Sequence, residues 1–134
     1  MTTQTDVALV EEFIRCARVG FTLTLPGINE YIYHVEDNCY ACIVGAAVVG
    51  HYKYTEISLR LASNMGAELL PNCTLPNDLL PVGVRLSETH IDIYGNPTLL
   101  VALTRINDKA GGREAALSWL ETVALPYIKE HVDE

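Results

Sequence analysis

Two cysteines three residues apart, Cys39 and Cys42, are the side chains here with the most reactive potential. They sit in the run Asn38-Cys39-Tyr40-Ala41-Cys42-Ile43-Val44-Gly45-Ala46-Ala47-Val48-Val49-Gly50. Asn38 reads as a helix cap, which predicts a helix from Cys39 to Gly50 with both thiols on one face. At a helix N-terminus the aligned amides stabilise a thiolate. Cys39 would then be the nucleophile and Cys42 the resolving thiol of a thiol–disulfide oxidoreductase. The competing reading is mechanical. Gly45, Ala46 and Ala47 project so little side chain that another backbone can pack closely, as in a buried core helix. The packing reading has more in its favour.

The surroundings of the pair give redox chemistry little help. Thioredoxin-like proteins set such a pair after a strand and carry a distant Pro-Thr before an apolar stretch. Here Ile32–Val35 precedes Cys39, and Pro97-Thr98-Leu99-Leu100-Val101 follows at a distance. Pro97, however, reads as a helix start, and the Trp-Cys-Gly-Pro-Cys signature is absent. Zinc is a second possibility, with Cys39 and Cys42 joined by two of Cys16, Cys73, His34 and His51. Structural zinc usually draws on two paired ligand sets, and this chain has one pair. A buried free cysteine acts as a small apolar residue, which accounts for Cys42 without metal.

A third cluster is Glu88, His90 and Asp92. If the segment is a strand, these three share a face by alternation, and His90 with Asp92 could hold a divalent ion or act as acid and base. Ile91 and Ile93 would occupy the opposite face, as on the solvent side of a half-buried strand. Solvation is the expected role. No glycine-rich phosphate loop, nucleophile elbow or zinc-binding His pair on a helix is found. No cofactor is expected.

The fourth cluster is Ile106-Asn107-Asp108 with Arg113 and Trp119. The chain here resembles an uncharacterised group of small bacterial and phage domains. These pair a Cys-x-x-Gly-Ala helix with a later Asn-Asp turn, a short Arg-containing loop and an amphipathic helix. The matching residues are Cys42-Ile43-Val44-Gly45-Ala46, Asn107-Asp108, Arg113 and the helix Glu114–Thr122, within residues 31–122. The spacing between the two motifs is long, and Phe21–Leu25 stands where that group has a Trp-rich turn. The resemblance implies a compact, mostly helical fold and no known activity. Asn107 and Asp108 can close a helix end and the next helix start by side-chain hydrogen bonds.

The elements that position these residues can be read from periodicity. Val7, Val10, Phe13, Ile14 and Ala17 recur at helical spacing, and Gly20 suits the stop. Phe21, Leu23 and Leu25 alternate like a strand, and Tyr31–Val35 could pair back across Pro26-Gly27. Thr55 can cap a further helix ending at Gly66. Pro71, Pro76 and Pro81 forbid a long helix, while Leu69, Leu70, Leu79 and Leu80 require burial, which predicts an ordered loop crossing the core. Val82, Val84 and Leu86 with Ile91 and Ile93 suggest a hairpin around Ser87-Glu88-Thr89. Asn96-Pro97 is a helix start, with Leu99, Leu100, Leu103 and Ile106 on the apolar face and Gly111-Gly112 at the end. Ala116, Trp119, Leu120 and Val123 define the final helix, which Pro126 must kink or interrupt. The fold predicted is a single helix-dominated α+β domain, residues 1–134, with one or two short antiparallel hairpins. The helix at 39–50 should be its most buried element, set against the helices from Asn96 and around Trp119. The polar ends 1–5 and 129–134 are expected to be loose.

Composition bounds the function. The chain has 134 residues, 49% hydrophobic and 19% charged, enough to bury about two-thirds of its unfolded surface. Nine Lys and Arg against seventeen Asp and Glu give a net charge of -8. The basic residues are scattered, which argues against nucleic acid and anionic membrane surfaces as partners. The longest apolar run, Ala41–Gly50, is about half of what a bilayer crossing needs. Residues 1–7 lack the charged-then-apolar order of an export signal, and four cysteines are too sparse for a disulfide scaffold. A soluble, cytoplasmic protein with reduced thiols is expected. Of seven tyrosines, Tyr31, Tyr33, Tyr40, Tyr52 and Tyr54 bracket the cysteine segment. Tyrosine favours interfaces, so these five are the candidate contact surface for a homodimer or a protein partner. The function expected is binding or assembly without catalysis, with the thiol oxidoreductase and a metal-stabilised interaction module as alternatives.

Overall fold

Close contact between the first two helices organises the chain. The computed structural model describes residues 2–132. Helix α1 (Gln4–Leu23) starts in a capping box between Thr3 and Asp6, and buries Val7, Val10, Phe13, Ile14, Cys16, Ala17 and Gly20. It lies chiefly against α2 (Ile43–Tyr52), in which every residue from Ile43 to Gly50 is buried. A Cβ on Gly20 would stand 1.7 Å from the Ala46 carbonyl oxygen, and one on Gly50 would stand 1.8 Å from that of Cys16. Backbone therefore touches backbone along this seam, and only glycine fits at either point.

That contact corrects two expectations. Gly20 lies inside α1 as a packing residue, and the helix runs on through Phe21 and Leu23 rather than giving way to a strand there. The principal neighbour of α2 is α1; the helices from residue 99 and around Trp119 contribute smaller contacts.

Between the two helices in the sequence comes a three-stranded sheet of order β1-β3-β2: β1 (Leu25–Pro26), β2 (Ile32–Val35) and β3 (Asn38–Ala41). β2 and β3 form an antiparallel hairpin with Ile32 opposite Ala41 and Val35 opposite Asn38. Glu36 makes the turn at a φ of 55°. β1 joins β3 in parallel, with Leu25 beside Tyr40. Tyr31–Val35 thus pairs forward rather than back. Asn38 caps nothing: it opens a strand, and the cap position of α2 belongs to Cys42.

Helix α3 (Leu59–Leu69) is capped by Ser58, not Thr55, and continues past the buried Gly66. The irregular stretch that follows drives Leu70, Leu75, Leu80 and Val84 into the core through two short 3₁₀ turns, Asn77–Leu79 and Val82–Val84. The expected hairpin at 82–93 is absent. Ser87 instead accepts the His90 amide and starts α4 (Glu88–Tyr94), whose side chains are nowhere fully buried. A serine followed by an acidic first turn is a cap signature, and here it overrides the alternation of isoleucines. Helix α5 (Leu99–Lys109) is capped by Thr98, two residues past the expected start.

Helix α6 (Gly112–Trp119) follows Gly111 at a φ of 112°. It passes through a π turn, Leu120–Ala124, into α7 (Leu125–Glu130) with Pro126 in the first turn. Proline lacks an amide donor and crowds the carbonyl four residues back; the wider π turn absorbs that without breaking the rod. At the ends, Thr2 and Val132 form an isolated bridge, while residues 1 and 133–134 lie outside the described residues. Among the described residues no helix is long and apolar enough to cross a membrane.

The α1–α2 seam makes a direct prediction. Gly20→Ala should lower unfolding free energy by about 3 kcal/mol or more, because an inserted methyl must push two backbones apart. Gly83→Ala, with no atom within 4 Å of the added Cβ, should stay within about 0.5 kcal/mol of the parent. Urea unfolding followed by circular dichroism reads both.

Candidate functional site

The start of α2 is where distant parts of the chain meet. Its cap residue, Cys42, is extended and offers no side-chain hydrogen bond to the helix, which leaves a buried helix N-terminus in need of an acceptor. Asn107, near the end of α5 and 1% exposed, supplies it. Its Oδ1 accepts the Ile43 amide at 2.9 Å, and its Nδ2 donates to the Gly27 carbonyl at 3.0 Å and to Asp108 Oδ1 at 3.1 Å. Asp108 Oδ1 also accepts the Asn29 amide at 2.9 Å. The Asn-Asp pair therefore lies in the last turn of a helix and holds the start of another helix and the 27–29 turn, rather than bridging α5 to its successor.

Arg113 closes the opposite side of this junction. It is 6% exposed and makes no ion pair among the described residues. Its guanidinium instead donates to the hydroxyl and carbonyl of Thr24 at 2.7 and 2.9 Å, and to the carbonyls of Phe21, Leu25 and Ala41 at 3.2–3.3 Å. It also lies 4.4 Å from the Phe21 ring centroid. Phe21 and Thr24 are at the C-terminal end of α1, where unpaired carbonyls carry partial negative charge and favour a cation. Burial lowers the Arg113 pKa from its ordinary value, with the Glu114 carboxylate opposing.

Beside the junction opens a cleft of about 390 Å³ lined by Asn29, Glu30, Tyr31, Cys42, Leu59, Ser63, Thr104 and Asp108. A volume of this order suits a small molecule. Tyr31 is held over it by backbone: its carbonyl accepts the Cys42 amide at 3.2 Å, and a Cβ on Gly45 would stand 1.6 Å from that same oxygen. Thr104 and Asp108 are four residues apart on α5 and share a face. The Thr104 hydroxyl donates to the Leu100 or Val101 carbonyl at 3.0 Å, so toward any further partner its oxygen is an acceptor. Asp108 Oδ2 makes no hydrogen bond among the described residues. Burial, reinforced by the charge of Asp108, pushes the Cys42 thiol up to about 11, against the pull of the Gly45 and Val44 amides. Burial first, then Cys42 and Asp108, raises the Tyr31 hydroxyl above its ordinary value. Both groups are neutral donors at physiological pH.

The two central cysteines do not share a helix face. Cys39 is on β3 and packs with Ile32, Val48, Val49, Ile57 and Ala62, its thiol 3.7 Å from the Thr55 carbonyl. Cys42 lies three residues on along extended chain, so it points to the other side, into the larger core that also contains Cys16 and Cys73. All four thiols are free and buried. Burial raises the pKa of each. Among the described residues no group of three or more His, Cys, Asp and Glu is placed to hold a metal ion; His34 meets the Thr55 carbonyl at 2.8 Å, and His51 is exposed on α2. Glu88, His90 and Asp92 lie on exposed α4, not on a strand, with His90 against the Tyr94 ring at 4.8 Å.

The tyrosines divide. Tyr33 and Tyr40 stack across the hairpin at 5.1 Å, Tyr31 belongs to the cleft, and Tyr52 and Tyr54 are exposed at 43% and 57%. Trp119 donates to the Leu79 carbonyl at 2.9 Å and fastens the irregular segment to α6. Sequence reasoning did not reach Asn29, Glu30, Leu59, Ser63 or Thr104. The Thr104–Asp108 spacing was a readable signal; nothing marked Ser63. No family model, curated protein or solved structure matches the chain.

The thiols make the site's pH prediction. Unfolded thiols ionise near 9, whereas native Cys42 stays protonated to about 11. The native state therefore binds more protons across that window. Stability is full below pH 9 and falls as pH rises toward 11. Urea midpoints at pH 7.5, 9 and 10.5 should decline in that order, and the decline should shrink in Cys42→Ala.

Proposed function

We propose that this protein is a small binding protein without catalysis of its own, and that the cleft beside the start of α2 is where it binds. The observation that carries the reading is Asp108: one carboxylate oxygen is fixed by two hydrogen bonds while the other has none, at the wall of a cleft of about 390 Å³. A recognition group needs that combination of rigidity and spare valence. The cleft has no activated nucleophile, since its thiol is held protonated, and the guanidinium and carboxamide nearby are consumed by backbone. The test is a fragment screen on ¹⁵N-labelled protein. Saturable shifts confined to Tyr31, Ser63, Thr104 and Asp108 are the expected outcome. Shifts scattered over the surface, or none at any fragment, would contradict it.

Self-association is a second reading, favoured by exposed apolar side chains: Tyr52 at the end of α2 and Tyr54 just beyond it, and Ile93 and Tyr94 at 66% and 75% on α4. Light scattering across a tenfold dilution series decides between homodimer and monomer. A thiol oxidoreductase is the weaker reading, because Cys39 and Cys42 lie on opposite sides of the chain with raised pKa values. Rapid alkylation of native Cys39 near pH 7 would restore it. The metal-stabilised module is weaker again without a ligand cluster. We place the protein in the cytoplasm, where four buried thiols stay reduced.

A further inference from the structure

We infer that the cleft recognises a small organic cation, a primary ammonium carried on a compact apolar body; this rests on the cleft being the binding site. The first reason is charge. The lining holds two carboxylates, Glu30 and Asp108, and no Lys, Arg or His. Neither carboxylate forms an ion pair among the described residues. An anionic ligand would meet repulsion with nothing to offset it, whereas a cation supplies the absent counter-charge.

The second reason is hydrogen-bond valence. Asp108 Oδ1 already accepts from the Asn29 amide and Asn107 Nδ2, so one oxygen, Oδ2, is left for a ligand. A guanidinium seeks two oxygens side by side, while an ammonium is a point charge with three donors. Thr104, one turn before Asp108 on α5, has committed its proton to a carbonyl and presents only an acceptor. Ser63 on α3 and Glu30 bring further acceptors to the same lining. Acceptors thus dominate the polar wall, which matches a ligand group that only donates.

The third reason is the apolar part of the lining. Leu59, 46% exposed, and the Tyr31 ring bring apolar surface to the same lining. Cys42 belongs to the same lining; it is 3% exposed, and its sulfur faces the Gly45 and Val44 amides at the start of α2. Metal ions are a poor occupant, since no set of three ligating side chains converges here.

Three probes of one shape test the inference: 2-phenylethylammonium, the neutral 2-phenylethanol and the anionic phenylacetate, titrated into ¹⁵N-labelled protein at pH 7. The ammonium should bind at least about tenfold more tightly than either analogue, the loss expected for one charge-assisted hydrogen bond. Asp108→Asn keeps an oxygen for the Asn29 and Asn107 donors while removing the charge, and should abolish that preference. Thr104→Val, on a partly buried helix face, should weaken the ammonium alone by several-fold, and it answers the question if Asp108→Asn fails to fold. Equal binding of all three probes in the cleft would overturn the cation assignment and leave the binding site standing. An absence of shifts in the cleft with every probe would overturn both.

Discussion

The carboxamide of Asn107 is the interaction on which the architecture around the cleft depends. Helix α2 is buried from its first residue, and a buried helix start leaves amides that water cannot reach. Leaving such a donor unpaired costs about 1–3 kcal/mol. Asn107 meets that need from 64 residues away, and its amide group simultaneously holds the Gly27 carbonyl and the Asp108 carboxylate. One planar group thereby sets where α5 stands relative to α2 and where the 27–29 turn runs. The orientation of Asp108 and the position of Tyr31 follow.

Arg113 and the glycine seam complete the constraint from the other side. Gly20 and Gly50 let α1 and α2 meet backbone to backbone, and the last carbonyls of α1 are met by side chains, the Thr24 hydroxyl on Gly20 among them. The Arg113 guanidinium reaches that end from α6 and bonds Phe21 and Thr24, then extends to Leu25 on β1 and Ala41 on β3. A buried charge without an acid partner is costly unless its donors are used, and here they are. The short sheet is pinned at the point where β3 turns into α2. The result is rigid polar bonding beneath the cleft, with free polar valence only at its wall.

Much of this was legible in the residues. The apolar spacing of α1, the small side chains of α2 and the clustering of leucines among prolines each point to their observed roles, and the helix-dominated α+β class follows from them. The failures have two causes. At Asn38 and Gly20 tertiary context decided an ambiguous local signal, since a hairpin partner took Asn38–Ala41 and a backbone contact recruited Gly20. At Ser87 two local signals competed, and the capping hydroxyl made 88–94 a helix against the alternation of isoleucines. Asn107, Asp108 and Arg113 stood out by type, but their partners lie 64 to 92 residues away. No local period can announce contacts at that separation. The cleft was illegible for the same reason, since α3 and α5 contribute two residues each, the turn before β2 three and the start of α2 one.

Hydrogen exchange at the Ile43 amide tests the central claim most directly. The first amide of a helix ordinarily has no intrahelical acceptor and exchanges readily. With Asn107 Oδ1 as its partner at 2.9 Å, the Ile43 amide should exchange as slowly as the amides of Ala47 and Val48 in the middle of α2. Exchange as fast as at the exposed start of α3 would contradict the account, because α2 would then be uncapped and the cleft without its anchor.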